Sequence, residues 1–157
     1  MSTPTQRIDD YLAGVKTLRD AVKSMTPAQL RTRPIAGKWS TLEVVCHLSD
    51  FEPIMADRIK RVLSHDTPAL LGADENRFAA SLAYHNRDLE EELAIVEKTR
   101  AQLARILRAQ PAAAFQRCGI HNERGPCTVE QLLSGAINHI PHHVAFIHEK
   151  RRALGIK

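Results

Sequence analysis

Eight histidines stand in this chain, at positions 47, 65, 85, 121, 139, 142, 143 and 148, and four of them fall in the charge-free stretch from Gln131 to His148. His139 and His143 are four residues apart. On an α-helix that spacing puts both imidazoles on one face, about 6 Å apart along the axis. Two nitrogens so placed can converge on one divalent cation at ~2.0–2.1 Å. Apolar residues dominate around them, and a buried imidazole must be hydrogen-bonded or ligated. His47 sits on another segment among Val44, Val45 and Leu48 and is the natural third candidate. Three histidines from two helices with an open fourth position suit a catalytic zinc-type centre. Spacing alone leaves a second reading open, in which these are hydrogen-bonded core or rim histidines.

Other residues carry weaker chemical signals. Glu43 lies one turn before His47 and could orient its ring, although Ser40-Thr41-Leu42-Glu43 also reads as a capping box. Glu52 is a candidate catalytic base, set against the alternative of a solvated carboxylate. His121 and Glu123 belong to a segment able to reach over a site at a bundle end, which makes His121 a second catalytic candidate. Tyr84 and His85 are candidates for pocket lining, or for packing and surface positions. Trp39 reads as a hydrophobic staple or core anchor. Cys46 is turned about 100° from His47, so it reads as a small buried residue rather than a ligand. The run Lys150-Arg151-Arg152 reads as a solvated helix end favoured by the helix dipole.

Helices are needed to position these groups, and the apolar periodicity supplies them. Ile8, Leu12, Val15, Leu18 and Val22 predict a helix over 5–25, and Thr26-Pro27 predicts a short helical turn through Leu30. The Ser40 box opens a helix through about Leu63, with a kink expected at Pro53. Residues 64–73 read as a connection, and 74–86 as helical. Asp88 and Glu91 form a possible capping box for a helix to Ala109. Residues 112–127 read as a long loop, and Thr128 with Gln131 caps a last helix to about Ala153, with a kink expected at Pro141. No segment reads as a strand. Four main helices in a single domain spanning 1–157 define an all-α, four-helix bundle.

Composition fits this reading. The chain has 157 residues, 43% hydrophobic and 25% charged, with aromatics at only 4%, a balance that favours helices over sheets. The net charge of +4 is spread thinly, which argues against nucleic-acid binding. Three cysteines without a C-x-x-C pair point to a reducing, cytoplasmic setting, with a Cys118–Cys127 redox pair the lesser alternative. The stretch from Gln131 to His148 is too polar to span a membrane.

Three segments resemble the DinB/YfiT superfamily of small metal-binding four-helix proteins. The first runs from Gly37-Lys38-Trp39-Ser40 through Glu43, His47-Leu48, Asp50 and Glu52. The second is His121-Asn122-Glu123-Arg124-Gly125-Pro126-Cys127-Thr128-Val129-Glu130-Gln131-Leu132, with Asn122 where the YfiT branch often has proline. The third is Asn138-His139-Ile140-Pro141-His142-His143-Val144-Ala145-Phe146-Ile147. Together they cover essentially the whole chain in family order. The resemblance implies an up-down-down-up bundle, often dimeric, with one divalent metal, usually nickel or zinc, on His47, His139 and His143. His142 falls between ligand positions and is a weaker candidate. The YfiT branch implies a hydrolase-like enzyme acting on a small molecule. Other branches imply transfer to a low-molecular-weight thiol, and a non-catalytic, stress-related metal-binding module is a further alternative.

Overall fold

The computed structural model describes residues 3–156. Its elements in chain order are α1 (Pro4–Val22), α2 (Pro27–Arg31), α3 (Thr41–Ser64), β1 (Ala69–Leu70), α4 (Glu75–Ser81), α5 (Leu89–Arg108), β2 (Cys118–His121), β3 (Gly125–Thr128) and α6 (Val129–Ala153). Short 3-10 turns precede α5 at Tyr84–Asn86 and follow it at Ala112–Gln116.

The long helices α1, α3, α5 and α6 form the bundle. Each starts where a side chain satisfies the free N–H groups of its first turn. Ser40 and Glu43 cap α3 reciprocally, as do Thr128 and Gln131 for α6. Asp88 caps α5 through the amides of Glu90 and Glu91, and the return bond expected from Glu91 is absent. Pro53 and Pro141 lie inside uninterrupted helices.

Cross-helix bonds give the directions. Arg7 of α1 donates to the Glu130 carbonyl at 2.9 Å, and Arg151 donates to the Lys23 carbonyl at 2.9 Å, so α1 and α6 run parallel. Ser49 bonds Glu92, and Lys60 reaches Gln102 at 2.6 Å, so α3 and α5 are parallel as well. The two pairs oppose one another. Asp9 meets Arg108 at 2.7 Å while Arg19 meets Glu90 at 3.0 Å, and Lys38, just ahead of α3, pairs with Glu149 near the end of α6 at 3.1 Å. This is the up-down-down-up order.

Two apolar clusters fill the bundle. One contains Leu18, Val45, Leu48, Leu93, Ile140 and Val144; the other contains Ile8, Ile59, Leu103, Leu107 and Leu133. At their boundary lies a buried polar knot. Arg100 donates to a Glu52 oxygen at 2.9 Å and to the Ala136 carbonyl at 2.7 Å, and it also bonds the Tyr11 carbonyl. The Tyr11 hydroxyl takes the other Glu52 oxygen. One guanidinium therefore ties all four helices together, and Glu52, expected to be either a solvated charge or a base, is fully buried with both oxygens engaged.

The absence of strands expected from the sequence is also corrected. Residues 118–128 form a hairpin, β2 with β3, and β1 adds to β2 in parallel. Gly119 lets this small sheet sit on α3, since a Cβ there would lie 2.9 Å from Val62 and 3.0 Å from the Pro68 carbonyl oxygen. Gly125 takes φ +72° at the hairpin turn, a conformation that side chains other than glycine resist.

Candidate metal centre

The Ser40 box starts α3 so that His47 falls two turns inside it, facing α6. The i, i+4 pair of α6 presents His139 and His143 toward it. The His47 Nε2 atom lies 3.0 Å from Nε2 of His139 and 3.1 Å from Nε2 of His143. Three nitrogens on one tetrahedral cation at ~2.05 Å would sit about 3.3 Å apart, so the spacing fits a shared ion. His47 and His143 are buried and His139 is partly buried.

Electrostatics support the same fit. Burial pushes the His47 imidazole down to about 4, with Asp50 opposing. Burial, followed by the neighbouring imidazoles, pushes His139 and His143 down to about 3. All three are therefore neutral near pH 7, the state in which a ring nitrogen offers a lone pair. Hydrogen bonds alone serve the cluster poorly, because one Nε2 would have to serve both neighbours while every Nδ1 is buried without a partner among the described residues. Aromatic rings wall the site. The Phe51 ring lies 4.4 Å and the Trp39 ring 5.5 Å from that of His47.

A carboxylate not singled out from the sequence completes the rim. Glu75 opens α4, whose amides are capped by Asp74, and its Oε2 lies 3.7 Å from His47 Nε2. It is half-exposed and faces a neutral ring, so its charge is unmatched there until a cation joins the imidazoles. The sequence predicts a helix over 74–86, but nothing there linked Glu75 to His47.

The triad is flanked by two clefts. One of about 190 Å³ is lined by His139, Phe51, Arg58, His121 and Glu123, among others. His121 lies on β2 rather than on a loop. Its Nδ1 accepts the Glu123 amide at 3.2 Å, and its Nε2 is buried without a partner among the described residues. Burial, followed by Arg58 and Arg124, lowers its pKa. The other cleft, of about 280 Å³, is lined by His143, Trp39, Val44, Glu75, Phe146 and Lys150, among others.

The remaining candidates lie apart. Glu43 caps Ser40 and pairs with Arg33, so it serves the helix start and not the His47 ring. His85 is exposed, His142 is exposed with its ring 5.0 Å from that of His143, and Tyr84 is buried. Cys46 is buried with its thiol on the Tyr84 carbonyl, and Cys118 and Cys127 are free. Lys150, expected to be solvated, is only 2% exposed.

An up-down-down-up bundle carrying a buried three-histidine cluster fit for a divalent metal defines the class of protein. The DinB superfamily profile matches residues 13–147, and the chain belongs to that superfamily. It is 30% identical over 139 residues to the Bacillus subtilis (strain 168) protein named "Putative metal-dependent hydrolase YfiT", covering 88% of this chain and 78% of that one. The solved structure of Bacillus subtilis YfiT, described as "a probable metal-dependent hydrolase with an unusual four-helix bundle topology", matches with a TM-score of 0.92 at 28% identity, over 100% of this chain and 91% of that chain. A DinB-family structure from Exiguobacterium sibiricum shares the fold at a TM-score of 0.66 and 20% identity, over 99% of this chain and 94% of that one.

Proposed function

We propose that the chain is a metal-dependent hydrolase of a small molecule, with His47, His139 and His143 holding one zinc or nickel ion. The observation that carries this reading is the convergence of three neutral imidazoles beside the half-exposed Glu75 carboxylate. A divalent ion on neutral nitrogens lowers the pKa of water and polarises a carbonyl. The protein's own groups do the rest. Glu75 stands at the rim, where it can take a proton from the attacking water and return it to the leaving group. His121, its Nδ1 accepting a backbone N–H, carries its proton on Nε2 in the cleft of about 190 Å³ and can donate a hydrogen bond there. Phe51 and Trp39 exclude solvent from the imidazoles and sharpen these charges.

The test uses the zinc- or nickel-loaded chain with p-nitrophenyl acetate and an N-acetyl anilide, and in parallel with a small thiol and an alkylating acceptor. The expected result is metal-dependent hydrolysis that falls about 10²–10⁴-fold in Glu75→Gln while the metal is retained. Hydrolysis indifferent to metal and to Glu75, or thiol transfer alone, would overturn the reading.

A further inference from the structure

The cleft beside His143 ends on an unusual group. Lys150 is 2% exposed, yet its ammonium makes one hydrogen bond, to the Phe146 carbonyl of its own helix at 3.2 Å, and faces the Phe146 ring at 6.0 Å. No carboxylate of the described residues forms an ion pair with it. The two carboxylates whose charge acts on it, Glu149 and Glu43, are engaged by Lys38 and Arg33 respectively. Burial lowers the pKa of Lys150, which marks a cation short of compensation. Lys150 follows His143 by seven residues, so both project from nearly the same face of α6, about 10.5 Å apart along its axis. They line the same cleft of about 280 Å³, with Trp39, Val44 and Phe146 as apolar walls.

We propose that this cleft is the substrate channel and that Lys150 binds a carboxylate at the far end of the substrate while the reacting group lies at the triad. This inference rests on the hydrolase reading and names its substrate class, an ester or amide with an apolar spacer and a carboxylate. Lys38 also lines the cleft but is paired with Glu149, and the one remaining ammonium, buried among aromatic walls, suits a monoanion. It lacks the guanidinium fork or amide nest that a phosphate dianion takes, and Glu75 at the other end disfavours a second negative charge. An incoming carboxylate supplies the counter-charge that Lys150 lacks.

Trp39 is the only tryptophan and lines the cleft, so its fluorescence reports occupancy. Hexanoate and hexanamide are titrated into zinc-loaded and metal-free wild type, Lys150→Met and Lys150→Arg, with thermal melts confirming folding. Methionine keeps the volume and removes a buried charge, so the variant is expected to fold. In both metal states, wild type should bind hexanoate at least about tenfold more tightly than hexanamide. Lys150→Met should erase that preference and Lys150→Arg should retain it. No saturable hexanoate binding, or equal preference in wild type and Lys150→Met, overturns the proposal. A preference that appears only with zinc and survives Lys150→Met places the carboxylate on the metal; the proposal then falls and the metal reading stands. A Lys150-dependent preference in a chain that takes up no zinc supports the anion site and removes the hydrolase reading.

Discussion

At the scale of single residues, the molecule separates charges that hold the fold from charges that face a ligand. Arg100 and Glu52 belong to the first kind. Both are fully buried, they satisfy one another, and their remaining bonds go to Tyr11 and the Ala136 carbonyl. Removing one partner strands the other in the core. Arg100→Met should therefore destabilise the chain by about 3–5 kcal/mol, measured by urea unfolding, and a loss below about 1 kcal/mol would show that the knot is dispensable. Gly14 serves the same group, since a Cβ there would lie 2.4 Å from the Arg100 guanidinium. Gly14→Ala should cost about 1–3 kcal/mol through this crowding. None of this was legible in the sequence. Glu52 follows Asp50 and precedes a proline, a context that reads as solvated, and its partner is 48 positions away. Lys150 was obscured in the same way, because a basic residue in a last helical turn normally answers the dipole from solvent.

At the scale of elements, what the sequence revealed depended on range. The boxes Ser40–Glu43 and Thr128–Gln131 are local, so the starts of α3 and α6, and hence the facing of His47, His139 and His143, could be read directly. The hairpin of β2 and β3 could not, because its strands are four residues each and its apolar side is supplied by α3 and β1 rather than by alternation within it. Glu75 was missed for a related reason, since only the folded connection brings α4 over α3. The Ser40 box makes a pH-dependent prediction. Burial raises the Glu43 carboxyl, but the Arg33 and Ser40 bonds outweigh it and hold the group below its ordinary 4.5. The folded state thus binds this proton less readily than the unfolded state. Its stabilisation is fully present above pH 4.5 and is lost as pH falls through the folded value. Glu43→Gln should lower Tm by roughly 2–4 °C at pH 7, corresponding to about 1 kcal/mol. The gap to wild type should close below about pH 4.5. A gap unchanged between pH 7 and pH 3.5 would assign the effect to packing.

At the scale of the whole molecule, the up-down-down-up order does specific work for the site. It sets α3 antiparallel to α6, so that the N-terminal part of α3 meets the middle of α6 and the three imidazoles fall opposite each other. It also leaves the short elements free to close over that junction, α4 bringing Glu75 to one side and β2 bringing His121 to the other. Among the described residues no helix is long and apolar enough to cross a membrane. The three-histidine set was legible because two of its members share a helix face and the third follows a capping box. The rim around it was not, because it is assembled from segments that meet only in the folded chain.

The central claim is that His47, His139 and His143 hold one divalent ion, and the most direct test is metal content per chain after purification without a nickel column. Wild type is compared with His47→Ala, His139→Ala and His143→Ala, each checked for helical content. The account predicts about one zinc or nickel per wild-type chain and essentially none in each folded variant. A wild type that stays empty and cannot be loaded, or a variant that keeps its full complement, would contradict it.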